Sequence, residues 1–104
     1  MSQDIQALVS ALDRLFNHPE LASNLSEDGF VTSSEDTSST EWRALYEEVD
    51  AHACGELITN TGGCNWANHK ALNPHGYRVV AGEKDSFGWL TGVIVSSKGR
   101  FVYG

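Results

Sequence analysis

The sequence has few of the residues that define extracellular, membrane-spanning and nucleic-acid-binding proteins. It has only two cysteines in 104 residues, and its first residues do not form a secretory signal. A reducing cytoplasm is therefore predicted, with Cys54 and Cys64 as thiols or metal ligands rather than a disulfide. No apolar run approaches the roughly 20 residues needed to cross a bilayer. Lysine and arginine together number seven, too few and too scattered to form a phosphate-binding stripe.

Acidic residues are abundant, and they are unevenly distributed along the chain. Residues 1–56 contain twelve Asp and Glu against two Arg, whereas residues 57–104 contain two acidic and five basic residues. The whole chain carries a net charge of −7 at neutral pH. An acidic half repels nucleic acid and anionic membranes and attracts proteins with a basic surface. The expected partner is therefore a basic protein, with no direct binding to nucleic acid or membrane.

The C-terminal part of the chain has the pattern of a β-meander. Three runs rich in β-branched and aromatic residues are separated by short turn-forming clusters, which is typical of consecutive antiparallel strands. The predicted strands span about 77–81, 87–96 and 100–103. Gly88 and Gly92 lie on one face of the middle strand, where they leave a channel that helix one is expected to fill. A homodimer through that face or through the last strand is the alternative.

The upstream part of the chain has helical patterns. Apolar residues recur at helical spacing from Ile5 to Phe16, and Pro19 prevents this helix from continuing. The string Ser38-Ser39-Thr40-Glu41 is a capping box, which predicts the start of a second helix. The predicted helices span about 3–17, 40–54 and 65–72, and the second either ends at Gly55 or continues through Leu57 and Ile58 to Asn60. The fold is thus predicted to be a single α+β domain, with two to three helices on one face of a three-stranded antiparallel meander.

Residues 26–40 are rich in Ser, Thr and acidic side chains, and only Phe30 and Val31 offer apolar surface. This composition favours a solvated linker. The alternatives are a functional acidic loop, or a short strand at Phe30 and Val31 that joins the edge of the sheet.

One cluster of cysteine and histidine has the residue types of a zinc site. His52, Cys54, Cys64 and His69 supply four candidate ligands. Their spacing matches no common zinc-finger pattern, and two residues that are two apart on a helix point in different directions. A buried Cys54 with surface histidines is therefore favoured, and no metal or other cofactor is expected.

Cys64 is also a candidate nucleophile, because it follows Gly62 and Gly63 and opens a predicted helix, where backbone N–H groups stabilise a thiolate. The string Gly-Gly-Cys-Asn-Trp resembles the loop-to-helix cysteine of papain-like proteases over five residues. That resemblance implies a histidine base. His69, five residues further along a helix, would lie about 140° around the axis from Cys64. A protein without enzymatic activity is therefore predicted.

The acidic surface remains as the candidate functional feature. Spaced carboxylates can imitate a run of phosphates, and an aromatic side chain at the margin can anchor the contact. We therefore predict a small acidic inhibitor or regulator of the phage or mobile-element type, which covers the basic surface of a nucleic-acid-handling protein. An acidic surface that serves solubility alone is the competing interpretation. The predicted partner-binding residues are Glu27, Asp28, Glu35, Asp36, Glu41, Trp42, Glu47, Glu48 and Asp50.

Overall fold

A computed structural model describes residues 3–31, 40–58, 65–84 and 90–103. The three strands form one antiparallel sheet in the order β1-β2-β3, at the C-terminal end of the chain. The predicted α+β class is confirmed. The elements are α1 (Gln3–Phe16), α2 (Thr40–Leu57), α3 (Trp66–Ala71), β1 (Arg78–Lys84), β2 (Leu90–Ser96) and β3 (Gly99–Tyr103), with short 3-10 turns at Ala22–Asn24 and Asn73–His75.

The helices α1 and α2 meet through their apolar stripes. In α1 the stripe includes Leu8, Leu12 and Leu15, none of which is exposed to solvent. In α2 the equivalent stripe runs from Trp42 to Leu57. The burial of Leu57 explains why α2 continues beyond the predicted end at residue 54, since an apolar side chain one turn further on stabilises that turn. Gly55, which lies just before Leu57, is on the exposed side of the helix.

The inner face of the sheet completes the core. Ile94 on β2 lies opposite Phe101 on β3, and both side chains are fully buried. The ring of Tyr46 on α2 contacts Phe101, with 4.9 Å between the ring centroids. Tyr77, immediately before β1, lies 6.0 Å from the ring of Phe16 at the end of α1. Both long helices therefore cover this one face.

The channel predicted beside Gly92 is filled by a side chain of the sheet itself. Gly92 lies directly opposite Tyr103 on β3, and a Cβ atom on Gly92 would lie 2.7 Å from Cε1 of that ring and closer still to Cζ and the hydroxyl oxygen. Tyr103 is only 3 % exposed. The expectation that helix one fills the channel is therefore wrong at Gly92, because the ring of Tyr103 on the neighbouring strand occupies that space. Gly88 lies outside the described residues.

The edge of β3 is paired near its start. The backbone N–H of Arg100 donates to the carbonyl of Gly29 at 2.8 Å, and the N–H of Val31 donates to the carbonyl of Arg100 at 2.6 Å. Gly29 has a φ of +82°, which lets the chain turn towards the strand. The short pairing segment at Phe30, the alternative to a solvated linker, is therefore present. A dimer through this part of the last strand would have to replace both hydrogen bonds.

Tyr77, a buried residue immediately before β1, forms a hydrogen bond with α1. The hydroxyl of Tyr77 donates to Oδ1 of Asp13 at 2.5 Å. Burial raises the pKa of Tyr77, and the hydrogen bond to Asp13 and the negative charge of that carboxylate raise it further. Burial, followed by the charge of Asp50, also raises the pKa of Tyr46. Both phenols therefore lose their protons at a higher pH in the folded protein than in the unfolded chain.

We expect the free energy of unfolding to fall as the pH rises above about 10, the pKa of a tyrosine in an unfolded chain. A raised folded-state pKa stabilises the protein fully below that pH, and the stabilisation is lost as the pH rises towards the folded-state value. Tyr77→Phe should cost about 1 kcal/mol at pH 7, since one hydrogen bond is lost. Urea titrations between pH 8 and 11 should then show a shallower alkaline loss for Tyr77→Phe, by at most about 1.4 kcal/mol per pH unit. Identical pH profiles for the unaltered protein and Tyr77→Phe would contradict the assignment of this alkaline loss to Tyr77.

Candidate partner-binding groove on helix α2

A groove of about 530 Å³ lies between the C-terminal end of α1 and the first half of α2. Its walls contain apolar groups from Pro19, Ala44 and Leu45. Two carboxylates of α2, Glu41 and Glu48, lie along the same wall. We refer to this feature as the α1–α2 groove. It brings two of the predicted partner-binding acids together beside an apolar surface.

The spacing along α2 explains this arrangement. Glu41 and Glu48 are seven residues apart, so they point in nearly the same direction and lie about 10.5 Å apart along the axis. Ala44 lies between them, three residues after the first carboxylate, and its small side chain leaves the groove open. The turn after α1 is directed by Pro19, which ends the helix and supplies part of the opposite wall.

Each of the two carboxylates interacts with a basic side chain at the end of α1 or in the turn that follows it. Arg14, in the last turn of α1, forms an ion pair with Glu48, and Nε2 of His18, in the turn after α1, lies 3.2 Å from Oε1 of Glu41. The helices are therefore antiparallel, since the chain just beyond the end of α1 meets the beginning of α2. The side chain of Glu41 is nonetheless 78 % exposed and that of Glu48 35 %. Their remaining oxygen lone pairs are open to a partner's donors.

The tautomer of His18 follows from its hydrogen bonds. Its Nδ1 atom accepts from the backbone N–H of Glu20 at 3.1 Å. In the neutral ring the hydrogen is therefore on Nε2, which donates to Glu41. Both ring nitrogens are engaged, and the ring edge also contacts Trp42 at 5.8 Å between centroids. His18 is thus built into the groove wall as a donor to the carboxylate.

The other predicted acids of α2 do not share this groove. Glu47 is exposed on the outer side of the helix, and no ion pair joins it to a residue in the described part of the chain. Asp50 is half-buried on another side, where its charge acts on Tyr46. The acids of α2 therefore point to several sides of the helix, because 100° of rotation per residue separates neighbours in sequence.

Trp42 requires a correction. It was predicted as an anchor for a partner, but its side chain is fully buried in the core between the two long helices. An indole in that position stabilises the fold and offers no surface to another protein. The physical reason is its place in the apolar stripe of α2, on the same side as Leu45 and Val49.

The predicted acids before α2 lie elsewhere. Glu27 and Asp28 are exposed in the turn that leads to Gly29 and pairs with β3. They are therefore attached to the edge of the sheet and do not line the α1–α2 groove. Glu35 and Asp36 lie outside the described residues.

The candidate metal ligands are positioned differently from one another. His52 and Cys54 are half-buried on α2, about 160° apart around the helix axis. His69 is buried, and its Nε2 lies 3.1 Å from the carbonyl oxygen of Leu57, to which it donates. Within the described ranges no three His, Cys, Asp or Glu side chains are grouped as a metal site would require. Cys64, the fourth candidate ligand and the candidate nucleophile, lies outside those ranges.

The contribution of α1 to the groove was not foreseen from the sequence. Glu41 and Glu48 are seven residues apart, so the sequence indicates that they lie along one side of α2. Arg14 lies in the last turn of α1 and His18 in the turn after it, and their approach to these carboxylates follows from the antiparallel packing of the two helices.

Comparison with models of known protein families, with curated proteins and with solved structures finds no match. Within the described residues, none of the helices has the length and apolar character of a membrane span. The functional argument therefore depends on the geometry and charge of the chain itself.

Proposed function

We propose that this protein binds a partner with a basic surface through the α1–α2 groove, and that it inhibits or regulates that partner. The observation that supports this proposal is the pair of carboxylates, Glu41 and Glu48, on the wall of a groove that also contains apolar groups of Pro19, Ala44 and Leu45. A partner segment with an apolar side chain between two Lys or Arg residues would match this surface in shape and charge.

The acidic charge of the whole molecule favours the same kind of partner. A net charge of −7 on a protein of 11.3 kDa accelerates encounter with basic surfaces and repels acidic ones. Of the two groove carboxylates, Glu41 carries the more accessible charge, since its side chain is 78 % exposed and Arg14 already neutralises part of the charge of Glu48. Carboxylates in these positions would take the place of nucleic-acid phosphates on the partner. The proposed partner is therefore a nucleic-acid-handling protein, as in phage and mobile-element inhibitors.

The test compares two double charge reversals with the same change in net charge. We expect Glu41→Lys/Glu48→Lys to weaken partner binding at least tenfold, because both carboxylates on the groove wall are replaced by repelling cations. The control is Glu27→Lys/Asp28→Lys in the turn beside β3, which should change binding less than threefold. Partners recovered from cell lysate by the unaltered protein are identified by mass spectrometry, and their affinities are measured between 50 and about 500 mM salt.

Competition with duplex DNA separates mimicry from simple charge attraction. If the carboxylates occupy a nucleic-acid site, DNA and this protein should exclude each other from the partner. Simultaneous binding of both would contradict mimicry. If the two double charge reversals weaken partner binding equally, the groove is not the binding site.

A further inference from the structure

The outer face of the sheet is an apolar surface that the helices do not cover. Side chains directly opposite each other in an antiparallel sheet share a face. Two cross-strand rows on the outer side follow from the register, and they consist of Arg78, Val95 and Arg100 in the first row and Val80, Val93 and Val102 in the second. We refer to these six residues as the valine face.

The composition of the valine face differs from that of a solvated sheet surface. An antiparallel sheet with one face in water has polar residues at its outward positions. Here four of the six residues in the two rows are valine. Val80 is 40 % exposed and Val102 is 38 % exposed, and a depression of about 230 Å³ includes Val93 and Val95. A partly open apolar surface with a depression at its centre is typical of an interaction site.

The two arginines specify the charge of the occupant. Arg78 and Arg100 are both exposed and stand on either side of Val95, so their Cα atoms are about 10 Å apart, two strand spacings. No ion pair joins either guanidinium to a carboxylate in the described ranges. Arg100 lies over the ring of Phe30, with 5.3 Å from its Cζ atom to the ring centroid, which fixes its position beside the depression.

We infer that the valine face docks an acidic amphipathic helix of a partner protein. Two carboxylates seven residues apart on a helix are separated by about 10.5 Å, close to the separation of the two arginines. The residues three and four positions after the first carboxylate then lie over the valines, where apolar side chains would be buried. The valine face lies on the opposite side of the sheet from the α1–α2 groove and carries charge of the opposite sign. It is a second, independent surface.

The test uses two synthetic helical peptides that differ only in charge. The first has Glu at positions i and i+7 and Leu at i+3 and i+4, and the second has Lys in place of both Glu. We expect the Glu peptide to shift the NMR methyl signals of Val80, Val93, Val95 and Val102, and the Lys peptide to leave them unchanged. Arg78→Glu and Arg100→Glu should each weaken binding of the Glu peptide about fivefold or more.

Matched variants separate this site from general charge effects. Lys70→Glu makes the same change in charge on α3 and should alter the affinity less than twofold. Glu41→Lys/Glu48→Lys should leave binding of the Glu peptide intact, since the groove is a different surface. Unchanged thermal midpoints of the arginine variants will show that they are folded.

Three results would overturn the inference. The Glu peptide could fail to shift the valine methyl signals at millimolar concentration, or both peptides could shift them equally. The signals could also shift with protein concentration alone, together with a dimer in sedimentation velocity. That last outcome would assign the valine face to a second copy of this chain.

Discussion

Trp42→Ala is expected to lower the free energy of unfolding by about 3–5 kcal/mol, the usual loss when a fully buried tryptophan is truncated. The side chain is 0 % exposed, and it lies within the cluster that α1 and α2 form together. Removing it eliminates apolar contact and leaves a cavity that the two helices cannot close without moving. For a protein with a total stability on the order of 5–15 kcal/mol, this is a large fraction.

A second tryptophan supplies the matched control. Trp66, at the start of α3, is 63 % exposed, so Trp66→Ala should change the free energy of unfolding by less than about 0.5 kcal/mol. Chemical denaturation followed by far-UV circular dichroism measures both variants without depending on tryptophan fluorescence. A loss below about 1 kcal/mol for Trp42→Ala would contradict its place in the core. Equal losses for both variants would contradict the difference in burial.

Gly92→Ala is expected to destabilise the protein by about 1–3 kcal/mol, the range for overpacking in a well-packed interior. The added methyl group would overlap the ring of Tyr103, which is buried and has no open space to enter. Either β3 shifts away from β2 or the ring leaves its position, and both changes disturb the inner face of the sheet. Gly92→Val, with two more methyl groups, should be more damaging still.

A substitution at another glycine, Gly55, is expected to raise the free energy of unfolding. Gly55 lies on the exposed side of α2, and a Cβ there meets nothing within 4 Å. Gly55→Ala should stabilise the protein by about 0.5–1 kcal/mol, because alanine restricts the unfolded chain and favours the helix.

In a double-mutant cycle, Tyr103→Leu should recover at least about 1 kcal/mol of the loss from Gly92→Ala. Additive losses would show that the ring is not the obstacle.

Element types and their order followed from the sequence because they depend on local periodicity. The stripe from Ile5 to Phe16 predicts an amphipathic helix whatever it packs against, and β-branched residues around Gly92 predict a strand in the same way. The end of α2 was harder to predict from the sequence. Gly55 left two ends open, a stop near residue 54 or a continuation through Leu57, and the burial of Leu57 stabilises the longer helix.

The candidate site was less predictable than the fold. The acidity of Glu41 and Glu48 was visible in the sequence, but the groove beside them exists only because the end of α1 and the turn after it, with Arg14, His18 and Pro19, lie opposite. Seven-residue spacing indicates that two side chains share a direction, and it does not indicate what lies opposite them.

By itself, the sequence determined the α+β class, the order of helices and strands, and an excess of negative charge in the first half of the chain. Those properties depend on composition and on patterns within short segments. Only the tertiary structure decided that Tyr103 covers Gly92, and that valines and two arginines share the outer face of the sheet. Each of these depends on contacts between residues far apart in the chain, and packing between elements selects those contacts.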